Sequence, residues 1–307
     1  MGNLRLYAVL NIEHPMVAWE VAIGRITTIT AKDANGNNFP TPSLWMYNSI
    51  ITGKNHNRFD DFISEYQIEI FRNRKHPKAP SRFKGAFFFE TYEDAISACK
   101  YWEWDSYIDY ISEIEFTYDQ IEKYDSNWVT NKIRACQPSE RNFFIEKYLT
   151  QKIEPAGPLW EVIAEGHGEV LNMDLRRKAY ERILEEQPGA TPLLAIAMSC
   201  YDSDCAKYRE LLRSIPYISK HSGKYHGQFI INMSQFESEQ EDIANICKKY
   251  INKWKSFRIP KFGEPLKITL PDDGKTFFSI LDLRKYNFEI DEDILDSVMN
   301  QAINDTI

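Results

Sequence analysis

The sequence predicts an α+β protein built on antiparallel strands, and three observations carry that expectation. Segments with the period of strands and segments with the period of helices alternate without the regular strand–helix–strand spacing of a parallel sheet. No glycine-rich phosphate loop follows a strand, because the stretch TGKN at 52–55 lacks both the upstream glycine and a Ser or Thr after the lysine. The chain also shows no internal repeat and no low-complexity tract.

Taken in order, LRLYAVLNI (4–12) is short, apolar and rich in β-formers, and reads as a first strand. WEVAIGRITTITAKDANGNNFPTP (19–42) reads as a second, with a polar turn at Asn35-Gly36. The spacing of Phe59, Phe62, Ile63, Tyr66, Ile70 and Phe71 predicts a helix over 57–76, ended at His76 because the next residue is proline. FKGAFFF (83–89) reads as a buried strand, and 90–102 as a helix capped by Thr91. A strand over 110–119 and a helix over 138–150 follow. Residues 157–172 read as a strand, a glycine-flanked turn and a short extended piece. Residues 173–213 read as helical with a break at Pro188-Gly189. After Pro216 the pattern suggests a connector and a helix, then a hairpin at Asp272-Asp273-Gly274 and a last acidic helix. The expected organisation is a domain over 1–215 and a C-terminal extension over 216–307, with the boundary between Pro216 and Gly227.

The bulk numbers narrow the function classes. The 307-residue chain carries a net charge of −8, which disfavours non-specific adhesion to nucleic acid while leaving room for a local basic groove. Aromatic residues make up 14 % of it, which argues against disorder. No apolar run approaches the ~18 residues of a membrane span. The five cysteines are odd in number, scattered and without a CxxC pair, so reduced thiols, a cytoplasmic location and no metal site are expected.

Two stretches stand out. RNRKHPKAPSRFKGAFFF (72–89) carries six cations in its first thirteen residues and then turns apolar. Ser81 and Arg82 sit where the basic loop meets the strand, and an arginine there can bind a phosphate through both prongs. Arg72, Arg74, Lys75 and Lys78 either hold nucleic-acid phosphates or keep the loop solvated. In PLWEVIAEG, Glu161 lies inside a run of Leu159, Trp160, Val162, Ile163 and Ala164. Either the strand is covered on both faces and Glu161 is a buried functional carboxylate, or Trp160 and Val162 face the core and Glu161 faces water. The aromatic and acidic stretch YWEWDSYIDYISEIEF (101–116) reads as core packing or a partner interface.

The order of IFRNRKHPKAPSRFKGAFFFETYEDA, YDSNW and YLTQKIEPAGPLWEVIAEGHGEVLNMDLRRKAY resembles a bacterial group of ADP-ribosyltransferase-like domains over about residues 4–180. The resemblance implies a split antiparallel sheet around an NAD cleft, with NAD consumed as a substrate. It implies that Glu161 and Arg82 are catalytic, and that Tyr7, Ser81, Arg82, Phe88, Thr91 and Trp160 contact NAD. The related proteins look like toxins of phage-defence systems, one group of which modifies messenger RNA under the control of an antitoxin and a chaperone. Nucleic acid, RNA favoured, is then the expected acceptor, with antitoxin and chaperone as protein partners and no membrane. One departure is clear. Where many relatives carry His or Arg after the first-strand Tyr, this chain has Ala8, and Arg5, Tyr7, Asn11 and His14 are the substitutes at hand. The alternative reading is a binding or regulatory domain that keeps the fold without the chemistry.

Overall fold

A computed structural model describes residues 2–30, 41–203, 205–233, 236, 238–250, 253, 277, 278 and 283–306. Helices and antiparallel sheets make it α+β, as expected. The expected turns at Asn35-Gly36 and at Asp272-Asp273-Gly274 lie outside the described residues.

The main sheet is organised by two long strands, β4 (Ile111–Asp125) and β5 (Trp160–Val170), paired from Ile114 opposite Val170 to Asp125 opposite Trp160. β1 (Gly2–Val9) pairs with the first half of β4. The free edge of β5 is shared: β3 (Ala86–Phe88) takes its first half and β2 (Arg25–Thr27) its second. A single bridge between Tyr7 and Phe89 joins β3 back to β1, so the four strands β1, β4, β5 and β3 close into a ring. A second sheet holds β6 (Ser214–His221), β7 (Lys224–Asn232), β8 (Phe277–Phe278) and β9 (Phe288–Asp291), with β7 central.

Residues 157–172 do not turn at their glycines. β5 runs straight through Gly166-His167-Gly168 because β4 approaches too closely for a side chain there. A Cβ on Gly166 (φ +154°) would lie 2.1 Å from the Thr117 carbonyl oxygen, beside the bulge where the register slips between Tyr118 and Gln120. Gly166→Ala is therefore expected to cost about 1–3 kcal/mol, read as a lower thermal midpoint. An unchanged midpoint would mean that the bulge relaxes freely.

The strand expected from residue 19 is also corrected. Pro15–Ile23 is a helix, α1, started by the His14 side chain on the Met16 amide and stopped by Gly24 at φ +93°. Trp19, Val21, Ala22 and Ile23 are buried together, so most of the helix surface is apolar and the β-forming composition misleads. Leu44–His56 is a helix, α2, that the sequence reading passed over, although Ser43 caps it through the Met46 amide. α3 (Asp60–Lys75), α4 (Tyr92–Tyr101) and α5 (Pro138–Leu149) follow as expected. The helical stretch after residue 173 resolves into α6 (Met173–Glu186) and α7 (Thr191–Asp202), the latter ending well before 213. The connector expected after Pro216 is instead the β6–β7 hairpin, turned at Ser222 (φ 51°) and Gly223 (φ 73°), the two-residue geometry that matches strand twist.

Pro216 and Gly227 thus lie within paired strands, opposite Phe229 and Ile218. Buried side chains from both sides of that hairpin, including Trp19, Tyr47, Phe229, Ile231, Phe288 and Leu295, join one apolar cluster. Beyond α8 (Gln240–Tyr250), the last helix α9 (Glu292–Thr306) packs on α3 and α5. The C-terminal residues therefore brace the helix that reaches the site described next.

Candidate functional site

A cleft of about 410 Å³ opens at the mouth of the strand ring, within the usual size range of ligand pockets. β1 supplies Val9, α2 supplies Trp45, and the β3 segment supplies Arg82, Phe87 and Phe89. Trp102 and Trp104 come from the end of α4. Ser126, Val129, Thr130 and Arg134 come from a π-helical segment (Trp128–Ile133) and its flanks, and β5 supplies Glu161. π-helical turns are rare and concentrate at functional sites. This one is fixed by the YDSNW stretch. The buried Asp125 carboxylate accepts the amides of Asn127, Glu154 and Leu159, Ser126 Oγ donates to the Leu159 carbonyl, and Trp128 Nε1 donates to that of Lys152.

Arg82 and Glu161 meet in this cleft. Arg82 Nη1 donates to Glu161 Oε1 at 2.5 Å and to Tyr148 Oη at 2.7 Å, and Tyr148 Oη donates in turn to Glu161 Oε1 at 2.9 Å. The carboxylate is 4 % exposed, so of the two sequence readings the strand covered on both faces is the one observed. The other edge of the Arg82 fork is taken by Glu65 of α3, at 2.7 Å from Nε and 3.1 Å from Nη2. Arg82 is 5 % exposed, with its guanidinium carbon 4.9 Å from the centre of the Phe87 ring.

The electrostatics follow from one cation between two buried carboxylates. Burial pushes the Glu161 carboxyl above the usual carboxylate range. Arg82 and Tyr148 pull the other way, and the like charge of Glu65 adds to the rise. Burial also acts to raise Glu65, but Arg82, with Arg134 and the Trp45 indole, holds it below its ordinary value. Glu161 therefore takes up a proton at a higher pH than an ordinary glutamate. If it acts ionised, the acid limb of the pH–rate profile lies above the usual carboxylate range. Glu65→Gln removes the neighbouring negative charge and is expected to move that limb to lower pH. An unmoved limb would separate Glu65 from the titration.

The other residues expected to contact NAD are placed elsewhere. Ser81 is buried, its hydroxyl donating to Glu69 and its amide to Glu165, which ties the loop down without lining the cleft. Thr91 is exposed and caps α4 through the Asp94 amide. Phe88 is fully buried against Phe116, because strand alternation sends Phe87 and Phe89 to the cleft and Phe88 to the core. Trp160 lies beneath the Lys123 ammonium, on the face of β5 opposite Glu161. Tyr7 packs edge-on to Tyr92 and exchanges backbone hydrogen bonds with Phe89, so its side chain does not line the cleft.

The first-strand departure is equally concrete. Ala8 is in the core, and the β1 side chain that lines the cleft is Val9. Arg5 pairs with Glu113, Asn11 accepts the Glu13 amide, and His14 caps α1 against Tyr286. In the basic loop, Arg72 is buried and grips Glu69 through both prongs, while Arg74, Lys75 and Lys78 are exposed.

Among the cleft residues that the sequence reading did not assign to the site are Trp45, Trp102, Trp104 and Arg134. The Trp45 and Phe87 rings are 6.1 Å apart, and the Trp102 and Trp104 rings 5.0 Å apart, so the cleft has two aromatic walls. Expected as core or interface, Trp102 and Trp104 instead form one of them. Ser43 as a helix cap could have revealed Trp45, whereas nothing local marks Arg134. Glu65, hidden behind the cleft, joins Arg82, Arg134 and the Trp45 Nε1 donor into one cluster.

The chain matches no family model and no curated protein. Among the described residues, no group of three or more His, Cys, Asp or Glu could hold a metal ion, and no helix is long and apolar enough to cross a membrane.

Proposed function

We propose that this chain is an NAD-dependent ADP-ribosyltransferase whose acceptor is nucleic acid, RNA favoured, and that it acts as a toxin in defence against phage under antitoxin and chaperone control. The observation that carries the reading is Glu161, a buried carboxylate with raised proton affinity, in an aromatic cleft beside Arg82. Nicotinamide in NAD is a flat cation, and aromatic faces attract such a ring. When the bond from the ribose carbon to the nicotinamide nitrogen breaks, its electron pair leaves with the nitrogen and positive charge develops on the ribose. A carboxylate already fixed by Arg82 and Tyr148 stabilises that charge without reorganising. The acceptor oxygen or nitrogen then bonds to the ribose carbon and gives up its proton to solvent.

A second reading is favoured by specific observations: Ala8 is in the core, and the Arg82 fork is spent on protein carboxylates. On that reading the chain binds NAD or a related molecule and does not cleave it. Incubation with NAD labelled in the adenylate, alongside separate pools of RNA, DNA and protein, separates the two. The enzyme labels one pool, RNA on the present reading, and releases nicotinamide. Absence of both label and nicotinamide would leave the binding domain.

A further inference from the structure

The cleft has two lining cations, and they differ in how much of their hydrogen-bonding capacity remains. Arg82 is spent: Glu65 takes Nε and Nη2, and Glu161 and Tyr148 share Nη1. Arg134 is tethered but not satisfied. Its Nη2 reaches Glu65 at 3.4 Å, and its Nε lies 3.4 Å from Asp61 Oδ1 in an ion pair too long for a strong hydrogen bond. That Nε is buried with no hydrogen-bond partner. The side chain is 26 % exposed, against 6 % for Arg82, so a ligand in the cleft can reach it. The Trp45 ring, its centre 5.6 Å from the guanidinium carbon, and the Glu65 tether hold the fork in place.

We propose that Arg134 is the phosphate-binding residue of this cleft. A phosphate has the oxygens and charge to accept from the unsatisfied edge of the fork, replacing Asp61, whose side chain is 54 % exposed and screened by water. Thr130 lines the same wall one turn earlier. Arg82 is left the task of positioning Glu161, so the two arginines divide roles that the sequence reading had assigned to Arg82 alone. Arg134 depends on the preceding reading only for which molecule carries the phosphate: the diphosphate of NAD or the backbone of a nucleic acid.

The test is calorimetric binding of inorganic pyrophosphate, ADP-ribose, a short single-stranded RNA and nicotinamide riboside, which lacks phosphate, to the full chain. Wild type is expected to bind pyrophosphate and ADP-ribose, and Arg134→Gln to weaken both by about ten- to a hundredfold while leaving nicotinamide riboside unchanged. Arg134→Lys keeps the charge without the planar fork and should recover part of the affinity. Loss confined to RNA would assign the phosphate to the acceptor, and loss confined to ADP-ribose and pyrophosphate to the donor. Either supports the site. Equal losses for nicotinamide riboside and ADP-ribose, retained affinity of Arg134→Gln for RNA, pyrophosphate and ADP-ribose alike, or no binding of any phosphate compound to wild type would overturn it. If Arg134 binds phosphate and labelled NAD stays intact, the site stands and the transferase reading fails. If NAD is cleaved and Arg134→Gln binds ADP-ribose, pyrophosphate and RNA as wild type does, the reverse holds.

Discussion

Glu161→Gln is expected to lower the rate of NAD cleavage by ~10²–10³-fold, the usual consequence of deleting a preorganised charge that faces a developing one. The substitution suits the question because it removes charge and little else. Glutamine keeps the length of the side chain and an oxygen for Arg82 Nη1 and the Tyr148 hydroxyl, the two present partners of the carboxylate. Arg82 retains Glu65 through two hydrogen bonds, so the buried cluster remains charge-balanced. The thermal midpoint should move little, and ADP-ribose should still bind. Release of labelled nicotinamide at saturating NAD measures the effect. A variant as fast as wild type would remove Glu161 from the chemistry and with it the transferase reading.

Arg82→Ala is expected to be the more damaging change, and to act on stability. It deletes the cation that bridges Glu65 and Glu161, which are 1 % and 4 % exposed. Breaking a buried ion pair by removing one partner costs about 3–5 kcal/mol, because the remaining charge is stranded. At ~2–4 °C per kcal/mol the midpoint should fall by on the order of 10 °C. Arg82→Ala combined with Glu65→Gln and Glu161→Gln should regain much of that loss, since neither buried carboxylate is left stranded. Thermal denaturation followed by circular dichroism checks both. If the triple variant melts no higher than Arg82→Ala alone, the lost packing against Phe87 and Tyr148 matters more than the charges.

How much of this was legible depends on how local each signal is. Glu161 could be singled out because an acid inside an all-apolar strand is conspicuous, and Arg82 because it marks the junction of a basic loop and a strand. The partner that consumes Arg82 was not legible. Glu65 lies on α3 among residues that read as the polar complement of Phe62, Ile63 and Tyr66, yet α3 buries Ser64, Glu65, Gln67 and Glu69 as well. The apolar stripe of α3 revealed the helix but not that its polar face is covered as well, whereas α1, apolar over most of its surface, showed no stripe and resembled a strand. Thr91 shows the opposite case, where a local rule explains the residue fully and leaves nothing for a site. Phe88 was one residue out of phase: the strand was recognised, but its register, set by pairing with β5, decides which phenylalanines face the cleft. Arg134 sits at the end of a π-helical turn held by hydrogen bonds to the buried Asp125 carboxylate, and no pattern in a single sequence announces such a turn.

The closed ring of strands has a consequence for how the chain is made. β1 waits for β4, with Gly2 opposite Tyr118, and β2 waits for β5, with Arg25 opposite Glu169. The last of the five strands to be synthesised is the one on which β2, β3 and β4 all pair. Such distant pairings pay their loop-closure entropy before any contact rewards it, so folding should be slow and late. A nascent chain that has not reached residue 161 holds Arg82 and Glu65 without the carboxylate that faces them. The cleft cannot assemble on a chain that stops short of β5.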